Sequence, residues 1–352
     1  MESTSDEPPA KKSRRDETQT DGPVVFDEPS ELFLRVGADH VDEAVVFSVC
    51  PKALTRLSKV FDRMLNGGFA ESRPTDKQQR WEIELPDDKP ASLRILIDIM
   101  HGRVHEVPKE IGLADLWDVI VAADKYDVVH LLRPWDGWIK AVQHQTDDMR
   151  LLGAAWYLKD LRIFSLMIKR IAENSGLNEY REMYFQSDGI SGGRHNLSDL
   201  LSGLVPSRIN NQLPDLRRRL VSAVLQPYAD AVRSLIFPSD RAVCCDKLII
   251  CDDVQLALAV RAFFGERINI TLRNPGETYD GTVRSLNKSI ERILSSIFWK
   301  YRVRSTGTWH SSNENQEHCR ERLRRVQQTA AQGALVSSLE LALPPEDVAH
   351  FQ

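Results

Sequence analysis

The strongest constraint on this chain lies between Leu32 and Trp138, where short strand patterns, proline-started helices and glycine stops follow one another with little room between them. Leu32-Phe33-Leu34-Arg35-Val36-Gly37, Glu43 to Val49 and Trp81 to Leu85 read as three strands. In the first, Leu32, Phe33, Leu34 and Val36 make a nearly continuous apolar run, which suits a strand covered on most of its surface. Pro51 stands where a helix can begin, because its fixed φ and missing N–H are harmless in a first turn. In the helix expected over Ser92 to His101, Leu93, Leu96, Ile97 and Met100 recur at three-and-four spacing, leaving Arg94 and Asp98 for the polar side. Gly102 then supplies the stop. Burying each of those large side chains is worth about 1.5–3 kcal/mol, so a unit of this pattern is expected to fold by itself.

Other segments differ in texture. Residues 1–23 are polar, with the basic cluster Lys11, Lys12, Arg14 and Arg15 set in an otherwise acidic, Ser/Thr/Pro-rich stretch, and they are expected to be a disordered tail. Over 142–186, Leu151 to Ala172 predicts two packed helices around Lys159-Asp160. Gly189, Gly192 and Gly193 predict a flexible insertion over 187–213. A mainly helical region is expected over 214–330, with helices at Leu216 to Leu225, Ala229 to Phe237, Val254 to Phe264 and Val283 to Trp299, Pro275-Gly276 breaking the run. In the last of these helices Leu286, Ile290, Ile293, Leu294 and Ile297 share one side. Cys319 to Gln328 is a charged helical stretch, and 331–352 is expected to be a tail.

Composition narrows the function. A formal net charge of -5 over 352 residues argues against direct nucleic-acid binding. No segment approaches the ~20 apolar residues needed to cross a bilayer, and the first residues lack the apolar core of a secretory signal. The protein is therefore expected in the nucleus or cytoplasm, unsecreted, its Asn196, Asn269 and Asn287 triplets unglycosylated and its 5 cysteines reduced. Cys244, Cys245 and Cys251, with His310, His318 and Cys319, lack the paired spacing of a zinc site. Their expected role is packing, and a catalytic cysteine would need a helix N-terminus or basic partner that a sequence does not display. The Gly189–Gly193 run has no Lys-Ser or Lys-Thr after it, so it does not make a phosphate loop. With no nucleophile elbow, zinc helix or dinucleotide motif, no enzyme and no cofactor is expected.

Several stretches match one family. Phe47-Ser48-Val49 before Cys50-Pro51, Ala53-Leu54, then Ser58, Phe61, Met64 and Leu65, then Gly68-Phe69-Ala70-Glu71-Ser72, Pro86-Asp87-Asp88-Lys89-Pro90 and Ala122-Ala123-Asp124-Lys125-Tyr126 resemble, in order and residue type, a BTB/POZ domain of fungal type without kelch or zinc-finger module. The resemblance implies an α+β BTB fold over 24–141, a small three-stranded sheet flanked by helical hairpins, then helices stacked on its end over 142–186, and an adaptor or scaffold that self-associates or recruits other proteins. It also implies that Phe69, Ala70 and Glu71 form a partner-binding loop, in some family members the contact with a cullin ubiquitin-ligase scaffold. Lys11, Lys12, Arg14 and Arg15 resemble a nuclear-import signal, which supports the alternative of a nuclear transcription regulator. Asp124, Lys125 and Tyr126, and the helix-end His101, are expected to serve structure.

Overall fold

The computed structural model describes residues 22–40, 44–76, 79–186, 193–236, 249–270, 274–304, 325–326, 328–329 and 349–351. The chain divides into two units, one comprising Met1–Lys109 with Asp118–Leu131, the other Glu110–Trp117 with Leu132–Gln352. The basic cluster at 11–15, Gly189, Gly192, Cys244, Cys245, His310, His318 and Cys319 lie outside the described residues.

The first unit is α+β. Its sheet has four strands, β1 (Val24–Val25), β2 (Leu32–Val36), β3 (Val45–Val49) and β4 (Trp81–Leu85), in the order β1-β3-β2-β4. The two-residue β1, parallel to β3, was not among the three expected strands. β2 and β3 form an antiparallel pair with Leu34 opposite Phe47, and β4 lies parallel to β2 with Ile83 opposite Leu34. The crossover between β3 and β4 carries two helices, α1 (Pro51–Leu57) and α2 (Lys59–Asn66). The continuous apolar run of β2 does not mean cover on both faces. Leu32, Leu34 and Val36 are buried, whereas Arg35 is exposed beside Glu84 and Phe33 is half-buried under the Arg80 guanidinium. A period of two allows only alternate residues to reach the core, and a cation over the ring shields Phe33 without burying it.

Helix α3 runs Pro90–Met100, two residues earlier than the periodicity suggests, because Pro90 occupies its first turn. Pro90 also explains Gly37: at φ +86° a Cβ there would stand 2.6 Å from the proline ring. Leu93, Leu96, Ile97 and Met100 are buried as the spacing requires, but so is Asp98, which the same spacing assigned to the polar side. Arg103, just past the helix end, lies 3.4 Å from the Asp98 carboxylate and also donates to the Val25 carbonyl, linking α3 to β1. Helix α4 spans Leu113–Lys125.

Four helices end the same way. After α3, α4, α6 (Arg150–Tyr157) and α10 (Ile249–Gly265), one residue takes positive φ while its N–H and the next N–H bond back into the last turn, as Lys159 does to Trp156 and Asp160 to Ala155. Gly102 fills that position once; Asp127, Lys159 and Arg267 fill it at φ 55°, 61° and 59°, where a side chain costs about 1–2 kcal/mol.

The second unit is mainly helical. A 3-10 turn over Val129–Trp135 leads into α5 (Gly137–Val142), then α6 and α7 (Leu161–Asn174), the pair expected around Lys159-Asp160. The segment expected to be a flexible insertion, 187–213, is largely structured where it is described. It contributes β7 (Arg194–Asn196) to an antiparallel sheet with β5 (Ser175–Leu177) and β6 (Met183–Gln186), then α8 (Leu197–Leu201) and the start of α9 (Ser207–Ile236). Short polar strands such as Arg194-His195-Asn196 carry no apolar alternation, which is why they read as loop. Asn196 caps α8, its side chain accepting from the Ser198 and Asp199 N–H groups.

Helix α9 is a single helix over Ser207–Ile236, not the two expected, despite Pro214 and Pro227 inside it. Each interior proline costs about 3 kcal/mol, and a stripe of buried Ile209, Leu213, Leu216, Leu220, Val224, Tyr228 and Val232 outweighs it. α10 and α11 (Val283–Arg304) pack against α9, with Leu286, Ile290, Ile293 and Leu294 buried. Arg217, 2% exposed on α9, donates to the carbonyls of Ser175, Tyr279 and Gly281, so one guanidinium joins α9 to β5 and to the approach to α11. Burial lowers its pKa.

Candidate functional site

The loop after α2 presents the residues that the family resemblance selects. Gly67 closes the helix with its N–H on the Arg63 carbonyl, and Gly68 turns the chain at φ +76°. Phe69 follows and is 62% exposed, one edge of its ring resting over Gly67, where a Cβ would stand 2.7 Å from it. Ala70 and Glu71 are exposed as well. The backbone beneath them is held: Ser72 N–H donates to the Phe69 carbonyl at 3.0 Å, Ser72 Oγ to the Met64 carbonyl at 3.3 Å, and the indole N–H of Trp81 to the Glu71 carbonyl at 2.9 Å. Among the described residues the Glu71 carboxylate has no ion-pair partner. The result is an exposed aromatic ring and, two residues on, an exposed carboxylate, on a loop hydrogen-bonded to Met64 of α2 and Trp81 of β4. Such a pair suits docking to another surface, since ordering the loop then costs little on binding.

In the same unit, residues from three sequence stretches converge. Ser58 caps α2, accepting from the Phe61 N–H at 3.0 Å, and donates to the Tyr126 carbonyl at 2.6 Å. The Phe61 and Tyr126 rings stack, centroids 4.3 Å apart and 5° from parallel. The Tyr126 hydroxyl and the Lys125 ammonium both donate to Oδ2 of Asp88, at 2.7 and 2.8 Å, and Asp88 is 4% exposed. Burial, then the Asp88 charge, raises the Tyr126 pKa far above its usual value, so the hydroxyl stays a donor. Lys125 and Tyr126 thus serve structure, while Asp124 points to solvent and contributes only its carbonyl, which accepts from Asp127 N–H.

His101 does more than end a helix. Its Nδ1 faces the Ile97 carbonyl at 2.9 Å and its Nε2 faces the Cys50 N–H at 3.0 Å. These partners assign the proton to Nδ1, leaving Nε2 as acceptor for the residue that opens α1. Burial lowers the pKa, in keeping with a neutral ring. Asp98 goes the other way: burial raises its pKa, and Arg103 and Arg94 offset that in part. Sequence gives both residues only generic helix roles: the partner of His101 lies 51 positions away, which no local spacing encodes, whereas Asp98 is faced by its near neighbours Arg94 and Arg103, and only its burial is hidden from the spacing.

Elsewhere, a cleft of about 310 Å³ in the second unit is lined by Arg133, Asp136, Lys159 and Asp160 over Leu132 and Ile139. Its carboxylates are engaged, Asp136 with Lys140 and Asp160 as the cap of α7, and no His, Cys or Ser lines it. Among the described residues no three His, Cys, Asp or Glu side chains gather to hold a metal, and no helix is long and apolar enough to cross a membrane. Cys251 falls within α10. No protein-family model, curated protein or solved structure matches the chain.

Proposed function

We propose that the chain is a protein–protein interaction module of BTB/POZ type, an adaptor or scaffold that binds without chemistry. In this reading the first unit self-associates or recruits partners, Phe69, Ala70 and Glu71 are the contact loop, and a cullin ubiquitin-ligase scaffold is one partner of the right kind. The observation that carries it is a phenylalanine 62% exposed on a loop pinned by Trp81 and Ser72. A ring left mostly in water adds little to the stability of its own domain, whereas aromatic anchors at interfaces are each worth ~2 kcal/mol or more. The stack of Phe61 on Tyr126, joined through Ser58 and Asp88, supports the family assignment because it gives the resembling residues a shared structural purpose.

The test is capture of a cullin scaffold by the full chain, alongside Phe69→Ala and Glu71→Ala. Loss of capture in both variants with unchanged folding is expected; undiminished capture, or none by the unaltered chain, refutes the contact. Light scattering that gives a monomer at every concentration refutes self-association. The basic cluster Lys11, Lys12, Arg14 and Arg15 favours a second reading, a nuclear transcription regulator acting through the same association. A fluorescent fusion still concentrated in the nucleus after all four are changed to alanine removes the import signal from that reading.

A further inference from the structure

The segment Ala349–Phe351 lies against the α6–α7 pair in a manner that resembles a bound peptide more than a tail. The His350 ring stacks on Trp156 with centroids 3.9 Å apart and planes 7° from parallel, and its Nε2 lies 2.9 Å from the Trp156 carbonyl. That carbonyl also accepts from Lys159 N–H, so His350 takes the second lone pair at the end of α6. Phe351 stands edge-on to Trp156 at 5.5 Å and tilted against Phe164 at 5.1 Å. Arg208, from the start of α9, places its guanidinium 5.7 Å from the Trp156 ring centroid. Two successive side chains, one hydrogen bond and a cation–aromatic contact therefore meet one tryptophan that is only 6% exposed. A stacked ring, an edge-on ring and one directional hydrogen bond together fix the geometry of this contact.

We propose that the α6–α7 surface around Trp156 is an aromatic-peptide docking site, with residues 349–351 of this chain as its resident ligand. Trp156 supplies the stacking face and the carbonyl acceptor, Phe164 the wall for the second ring, and Arg208 the cation over the indole. A segment on the same chain is present at high effective concentration, so it holds the site against free peptides of similar chemistry.

A synthetic peptide covering 343–352 tests this by calorimetry, titrated into the full chain and into the full chain carrying His350→Ala and Phe351→Ala. The variant is expected to bind the peptide about tenfold or more tighter than the unaltered chain, whose site is filled. A peptide with alanine in place of the phenylalanine is expected not to bind. Equal binding to both proteins, or none to either, overturns the proposal. As a measurement independent of the folding of the double variant, a photoreactive benzoyl-phenylalanine placed at position 351 should crosslink within its own chain to the 150–174 segment. Crosslinks only elsewhere, or only between chains, refute it.

Discussion

Replacing Tyr126 by phenylalanine isolates a single hydroxyl, because the ring that stacks on Phe61 at 4.3 Å is retained. What is lost is the 2.7 Å hydrogen bond to Asp88, a carboxylate 4% exposed. A hydrogen bond to a charged group is worth about 1.5–3 kcal/mol, and leaving a buried acceptor short of a partner costs a similar amount. Lys125 still reaches the same oxygen at 2.8 Å, so the lower half of that range applies, about 1.5–2 kcal/mol. With a urea dependence near 2 kcal/mol/M, the unfolding midpoint of the first unit should fall by roughly 1 M at unchanged slope. Hydrogen exchange on peptides from α2 and α4 assigns the transition to that unit. Combining Tyr126→Phe with Asp88→Asn closes a double-mutant cycle, and the joint cost should be well below the sum of the two. A loss under about 0.5 kcal/mol, or full additivity in the cycle, refutes the idea that Asp88 and Tyr126 form one buried unit.

Three further outcomes are expected. Burial holds the His101 pKa below the ordinary value of a free imidazole, so the neutral ring contributes stability that is present above the unfolded-state pKa and lost as pH falls from there toward the folded value. The slope can reach about 1.4 kcal/mol per pH unit. Unfolding measured from neutral to mildly acidic pH should show this slope in the unaltered chain and lose it in His101→Asn; an unchanged slope in the variant refutes the assignment. Asp98, whose pKa burial raises above 3.8, adds a slope of opposite sign at lower pH. Lys159→Gly should stabilise the second unit by about 1 kcal/mol, since φ 61° suits glycine, and a thermal scan showing destabilisation contradicts it. Arg217→Lys should cost at least about 2 kcal/mol, because one ammonium cannot serve the Ser175, Tyr279 and Gly281 carbonyls together; denaturation of an unaffected second unit would refute that.

Local sequence determined whatever depends on near neighbours. The three longer strands, the helix stripe Leu93-Leu96-Ile97-Met100, the α6–α7 break at Lys159-Asp160 and the buried face of α11 all follow from spacing and from proline and glycine placement. The Phe69-Ala70-Glu71 loop was a candidate in the sequence only through its resemblance to a family's partner-binding loop, and the fold adds that all three residues are exposed. Tertiary structure decided what depends on partners distant in sequence. His101 is neutral because Cys50, 51 positions away, needs an acceptor, the Tyr126 hydroxyl meets Asp88 across 38 positions, and α9 continues through two prolines because its apolar stripe is covered along its length. The three-residue strand Arg194–Asn196 exists because β6 offers it a free edge, and His350 and Phe351 hold their places because Trp156 lies across nearly two hundred positions of chain. Periodicity reports which face of an element is apolar; only the folded chain sets which polar group meets which.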